Sequence, residues 1–373
     1  MNETNNSVRD LSPPGEILAE ALEERQITNA ELARRAGLSE KHVSQIINAR
    51  VPLSMDVALQ LERVLGIPAR FWNSLEFNYR AERRRKAFHA NLDAFAGWMR
   101  QFPVAAMRRT GYFGHAQVGQ RVQERVEALL HFFGVASPEA WENEWAHVTA
   151  RFRKSSAFNP NRFALVSWLR RAEIESQSIR CARFDSGRFR EALDNVRRLT
   201  TDPPEHFVPK LVQTCAEAGV AVTLVPSLPG LAISGATRWK GAEKALISLS
   251  LRHKSDDQLW FSFFHEACHV LEHKTATIYI DSPADPDGDP DECRANEFAR
   301  DTLIPPRDYL RLVSGGRPTL STIRAFAESA GISPGIVVGR LQHEGVLDHK
   351  TGNGLKRYFQ WDHEAPPPAQ TGG

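Results

Sequence analysis

Cysteine is scarce in this chain of 373 residues: Cys181, Cys215, Cys268 and Cys293 are scattered singly and do not form a disulfide framework. A run of about 18 apolar residues is also missing, so no membrane-spanning helix is expected. The opening stretch MNETNNSVRDLSPPG lacks the apolar core of a secretory signal. No internal repeat is evident, and a formal net charge of +2 marks the whole chain as neither strongly basic nor strongly acidic. These absences exclude a secreted disulfide scaffold and a membrane protein, and leave the cytoplasm as the simplest address. What is present is ordinary globular composition, 42% apolar and 25% charged, with enough chain for two or three cores. The first dozen residues and the tail from about Pro366 are polar or rich in Pro and Gly, and read as disordered.

The most informative stretch is His265-Glu266-Ala267-Cys268-His269. On a helix, positions i and i+4 share a face, so both imidazoles can reach one Zn²⁺ ion while Glu266 lies beside it, placed to take a proton from water. Phe261, Phe263, Phe264, Val270 and Leu271 mark a buried helix, and Ser255 to Gln258 reads as the capping box that starts it. A catalytic zinc site needs a third protein ligand and an open position. Glu292 is the candidate. It opens a second helical pattern that Pro305 and Pro306 stop, and Asn296 follows one turn later, where it can orient a ligand by hydrogen bonding. Two alternatives stand beside this. Glu292 also fits the N3 position of a capping box, and His273 continues the His265 and His269 face as a rival ligand. Cys268 can ligate or oxidise, or simply fill a small buried space. Tyr279, Tyr309 and His273 are the candidates for the group that stabilises an oxyanion.

Read together, HEACH followed by ECRANEFARDTLIP resembles the ImmA/IrrE-type metallopeptidases over roughly residues 219–306. The resemblance implies zinc held by His265, His269 and Glu292, with Glu266 as base and a regulatory protein such as a repressor or antitoxin as substrate. Short β segments at Val220 to Val225, Leu231 to Ser234 and Ala245 to Leu251 are expected to form a small sheet beside the metal helix. Such a sheet offers an edge for an extended substrate. Residues 319–343 look like two helices around a turn, which pack beneath the catalytic domain.

A second signal lies near the amino terminus. Thr28-Asn29-Ala30-Glu31 is a capping box that opens a helix, Gly37 supplies a tight turn, and Ser39 caps a second helix through Asn48. Leu32, Ala33, Leu38, Val43, Ile46 and Ile47 are spaced as a small helical core. The stretches PPGEILAEALEER, LSEKHVSQIINAR and LERVLGIPARFWNSLEFNYR resemble the HigA-like branch of the XRE-type helix-turn-helix regulators. That resemblance implies double-stranded operator DNA as partner and a homodimer as the binding form. By position in the motif, Lys41 and Gln45 would meet base edges, while Asn29, Asn48 and Arg50 would meet phosphates. The alternative is a helix-turn-helix used for protein contacts alone.

Residues 1–80 carry 9 Lys+Arg against 11 Asp+Glu, so the reader region by itself is not basic. Residues 81–200 carry 21 against 12, beginning with Arg83-Arg84-Arg85-Lys86. That run can neutralise phosphates, and a solvated helix face explains it equally; for Arg108, Arg109, Arg197 and Arg198 the solvated face is preferred.

The expected fold is α+β and mostly helical. A helix-turn-helix domain spans residues 1–80, a helical linker or sensor region 81–204, a zincin-like domain with a helical extension 205–348, and a tail 349–373. In the middle region Trp98, Trp141, Trp145 and Trp168 are expected core anchors. The function implied is a DNA-binding regulator carrying a zinc endopeptidase. A different class competes with it: a noncatalytic antitoxin or repressor whose zincin-like domain binds a toxin or senses a signal.

Overall fold

The computed structural model describes residues 12–114, 118–152, 161–272, 278–280 and 290–361. The chain divides into two compact units, Met1–Ala96 and Gly97–Gly373. Most of the first dozen residues and the tail from Pro366, expected to be disordered, lie outside the described residues, as does His273. No helix among the described residues is long and apolar enough to cross a membrane.

The first unit is a bundle of five helices: α1 (Pro14–Glu24), α2 (Asn29–Ala36), α3 (Glu40–Ile47), α4 (Met55–Leu65) and α5 (Ala69–Asn91). The local signals act as expected. Thr28 Oγ1 accepts from the Glu31 amide at 3.1 Å, Ser39 Oγ from the His42 amide at 3.1 Å, and Gly37 closes α2 in the left-handed region at φ 68°. Leu32, Ala33, Val43 and Ile46 are buried with Leu18, Leu22, Val57, Leu61 and Trp72, while Leu38 and Ile47 pack at the edge. Gly15 matters for a reason no local signal reveals. A Cβ there would collide with the carbonyl oxygens of Ile46 and Ile47, so only glycine lets α1 cross the end of α3 this closely.

After α6 (Ala96–Met99), which starts at the boundary between the units, the second unit continues with α7 (Val104–Arg109), α8 (Val122–Phe133), α9 (Pro138–Phe152) and α10 (Arg162–Gln177). Trp98, Trp141, Trp145 and Trp168 are all buried here, and Trp141 stacks on Phe163 with centroids 5.3 Å apart. Trp168 Nε1 donates to the Val225 carbonyl at 3.1 Å, and the Tyr112 hydroxyl donates to that of Pro226. The helical middle is thereby fastened to the loop that follows the first strand.

Next come α11 (Ser186–Arg198), α12 (Pro204–Glu217), β1 (Val220–Leu224), β2 (Gly235–Lys240), β3 (Lys244–Leu249), α13 (Asp256–Glu272), β4 (Ile278–Ile280), α14 (Pro290–Leu303), α15 (Pro306–Val313), α16 (Leu320–Ala330) and α17 (Pro334–His343). The four strands form one sheet in the order β1-β3-β2-β4; β1 runs parallel to β3, and β2 runs antiparallel to both its neighbours. One expected strand is displaced. Residues 231–233 form no ladder: Leu231 closes a turn on Leu228, and the carbonyls of Ala232 and Ile233 accept from the side chains of Arg252 and Ser250, while the Ser234 carbonyl alone accepts from a backbone amide, that of Ser250 at 2.9 Å. With those acceptors taken by side chains, the ladder starts at Gly235 instead.

The core of this unit takes in Phe189, Leu193 and Val196 of α11 and, from beyond α17, Leu355 and Phe359. Backbone bonds sew that last segment to the entrance of α13: the Asp256 amide donates to the Arg357 carbonyl at 2.9 Å and the Phe359 amide to the Lys254 carbonyl at 2.7 Å. The helix pair α16 and α17 buries Ile323, Ala327, Ile336, Val337, Val338 and Leu341 in the same core, which is the packing role expected for it. Arg197, read from sequence as a solvated charge, instead spreads its guanidinium over the carbonyls of Thr302, Leu303 and Ala330. It satisfies acceptors that the ends of α14 and α16 leave open.

Candidate metal centre

Helix α13 runs through the core against β2, β3, α14 and α17. Its first turn follows Ser255, with the Leu259 amide donating to the Ser255 carbonyl at 3.1 Å. His265, Glu266 and His269 are 2%, 0% and 2% exposed. Their burial follows from the phenylalanines around them: Phe263, Phe264, Ala267 and Val270 are fully buried in the common core.

One turn of helix brings the two imidazoles together, with Nε2 of His265 and Nε2 of His269 3.2 Å apart. Glu292, in the first turn of α14, closes the triangle. Its Oε2 lies 3.1 Å from Nε2 of His265 and its Oε1 3.5 Å from Nε2 of His269. The three ligand atoms lie within 4.8 Å of one another, a set that can hold a metal ion. Ligand bonds of about 2.0–2.2 Å at tetrahedral angles separate donor atoms by about 3.4 Å, so the triangle has the dimensions of three zinc ligands. Burial pushes the Glu292 carboxyl up, but hydrogen bonds to His265 and His269 and their charge outweigh it and hold the group down at about 2. It therefore stays anionic, as a ligand must.

Nδ1 of His265 lies 2.9 Å from Oδ1 of Asn296. An amide oxygen only accepts, so Nδ1 carries a proton, and Nε2, which shares its proton with Glu292 in the metal-free site, is the nitrogen that a metal ion would meet once that proton is displaced. Asn296 is one turn beyond Glu292, so a single helix supplies both Glu292 and the partner of the His265 ring.

Glu266 meets the sheet. Thr237 Oγ1, on β2, lies 2.6 Å from Oε2 of Glu266 and 3.1 Å from its carbonyl oxygen. Gly235 makes room two residues earlier: a Cβ there would come within 2.6 Å of Glu266 Oε1 and 2.7 Å of its Cγ. Neither residue was found from the sequence. Thr237 contacts a residue 29 positions away, and nothing in its neighbourhood distinguishes it from any strand threonine.

Of the remaining candidates, Cys268 is buried and its thiol is pushed up to about 12 by burial and by Glu272, so it remains an inert thiol. The Tyr309 ring lies under the Arg340 guanidinium, 4.5 Å from its centroid, an engagement with α17. Tyr279 contributes backbone to β4, paired with Thr237.

In the first unit, Lys41 and Gln45 sit on α3, the second helix of the turn, with Lys41 exposed and Gln45 half-buried. Asn29 opens α2, and both it and Arg50 are exposed. The Asn48 side chain donates to the Ser44 carbonyl at 2.8 Å, so it already closes its own helix. Arg83 to Lys86 are exposed on α5, with Arg83 over the Tyr79 ring at 5.8 Å and Arg85 3.7 Å from Glu82.

Residues 18–72 match the family model described as helix-turn-helix, and residues 234–342 match the peptidase M78 model described as the IrrE N-terminal-like domain. Among solved structures, one similar chain is a protein from Nostoc punctiforme described as an antidote of a plasmid maintenance system. It is 23% identical, with a TM-score of 0.23 over 23% of this chain and 94% of that one. Another is an addiction module antidote protein of the HigA family from Coxiella burnetii, 26% identical, with a TM-score of 0.22 over 23% of this chain and 95% of that one. No curated protein matches the chain.

Proposed function

We propose that this chain, with a helix-turn-helix over residues 18–72 and a peptidase M78 domain over 234–342, is a cytoplasmic transcriptional regulator. In this reading its second unit is a zinc endopeptidase that cleaves a regulatory protein such as a repressor or antitoxin. The observation that carries the enzymatic half is the triangle of Nε2, Nε2 and carboxylate with a glutamate in the same helical turn. His265, His269 and Glu292 would hold the ion. When bound, zinc supplies a water of lowered pKa and polarises a carbonyl. Glu266 is the proton acceptor: it is a carboxylate beside the ligands and is not one of them. Asn296 keeps His265 in the ligating tautomer. On the DNA side, Lys41 and Gln45 read base edges of a double-stranded operator, Asn29, Asn48 and Arg50 contact phosphates, and two chains bind as a homodimer.

Total burial of Glu266 favours a second reading, in which the zincin-like domain is noncatalytic and binds a toxin or senses a signal. Metal analysis, with comparison of cellular cleavage products between the wild type and Glu266→Gln, separates the two. The proteolytic reading expects one Zn²⁺ per chain in both proteins, operator binding in both, and products in the wild type alone, the rate falling by about 10²–10⁴ in the variant. Identical products and phenotype from both proteins would overturn it in favour of the noncatalytic reading.

A further inference from the structure

The catalytic glutamate of such a site has to be aimed, and helix α13 alone does not aim it. A glutamate on a helix retains several rotamers, and productive proton transfer needs a carboxylate held in one of them. The side chain that meets Glu266 comes from the sheet. Thr237 is fully buried in β2, a strand flanked on both sides, where it pairs with Ile247 of β3 and Tyr279 of β4. Its backbone is therefore fixed. Its hydroxyl carries one proton and has two acceptors within reach, Oε2 of Glu266 at 2.6 Å and the Glu266 carbonyl at 3.1 Å. The shorter contact is in the range of a hydroxyl donating to an anionic oxygen. Gly235 lies two residues away on the same strand face and supplies the space that the carboxylate fills.

From this geometry we infer that Thr237 is a positioning residue for Glu266, donating from Oγ1 to Oε2, and that Gly235 keeps that pocket open. The inference rests on the reading of Glu266 as proton acceptor. It deepens that reading by placing the control of the base on strand β2 and not on the metal helix.

The test uses the full-length chain loaded with Co²⁺ in place of zinc, whose visible spectrum as a function of pH senses groups that hydrogen-bond at the ion's open position. Glu266→Gln should move the midpoint of that pH dependence, by about half a unit or more. Thr237→Val, which keeps the shape and removes the hydroxyl, should also move it, and should add nothing in the Glu266→Gln background. Thr237→Ser should restore the wild-type curve, with metal content unchanged throughout. Gly235→Ala probes the same placement without touching the hydroxyl and should move the midpoint too, which keeps the question open to refutation if the valine variant fails to fold. A shift on Glu266→Gln with none on Thr237→Val overturns the inference alone, as does an unmoved Gly235→Ala where only that variant folds. No shift on Glu266→Gln, or no Co²⁺ bound at all, overturns the underlying reading of the site.

Discussion

Removing the ammonium of Lys356 should destabilise the second unit by several kcal/mol, although Lys356 lies far along the chain from His265 and His269 of α13. Its Nζ sits 2.7 Å from Oδ2 of Asp257 and 2.9 Å from Oε1 of Gln342, with side chains only 11% and 5% exposed for Lys356 and Asp257. Asp257 occupies the first turn of α13, and the space it needs comes from Gly339, where a Cβ would approach Oδ2 to 2.5 Å. Lys356→Met leaves that carboxylate buried without its cation, at a cost of about 3–5 kcal/mol. Set against a typical total of about 5–15 kcal/mol, this is a large fraction. At about 2–4 °C per kcal/mol for a unit of this size or slightly smaller, it lowers the melting temperature by roughly 6–20 °C. Calorimetry and urea unfolding of the full chain measure both quantities. The double variant Asp257→Asn with Lys356→Met should recover much of the loss, because no unpaired charge remains. A loss under about 1 kcal/mol for Lys356→Met, or a double variant no more stable than the single one, would refute the assignment of a buried, energetically coupled pair.

Other outcomes follow from the same geometry. Alanine at His265, His269 or Glu292 should abolish stoichiometric zinc, and Asn296→Ala should weaken it about 10–100-fold by chelator competition; retention of metal in Glu292→Ala with loss in His273→Ala would mean that the third ligand is misassigned. Lys41→Ala and Gln45→Ala should each cost about 1–3 kcal/mol on an operator selected from random DNA and little on unselected DNA, read by titration at fixed salt. Neutralising Arg83 to Lys86 should instead weaken both and flatten the salt dependence; equal loss of both DNAs from every variant would sink this division. For the metal-free chain, Glu292 has a folded-state value lowered from 4.5 to about 2, so it binds its proton less readily folded than unfolded. The stability it contributes is complete above about pH 4.5 and disappears as pH falls toward 2, a slope that Glu292→Gln should lack in urea titrations.

The parts of the site legible in the sequence are those that a helix places by itself. His265 and His269 share a face because they are four residues apart, Glu292 and Asn296 for the same reason, and the two pairs meet because both helices bury the apolar sides of those stretches in one core. The helix-turn-helix was legible on the same terms, through Thr28, Gly37 and Ser39, each acting within four residues of itself. Strand positions were harder. The run at 231–234 has the apolar character of a strand, but pairing depends on whether its carbonyls are free, and here the side chains of Arg252 and Ser250 occupy two of them.

What stayed hidden shares one property: it joins residues whose separation carries no period. Thr237 meets Glu266 across 29 residues, Lys356 meets Asp257 across 99, and Arg197 meets the end of α14 across more than 100. Each is a single polar contact made by packing, and each works on an element that the sequence did identify. Glu266 and Asp257 both belong to α13, yet their partners come from a central strand and from the segment after α17. The metal helix is therefore named by its own five residues, but its orientation and its anchoring are set from outside it. His265, His269 and Glu292 transplanted with α13 and α14 alone would keep their types and lose both the donor to Glu266 and the cation under Asp257. For that reason the unit that folds around the candidate metal centre has to reach at least from α11 to Phe359, whose side chains close the same core.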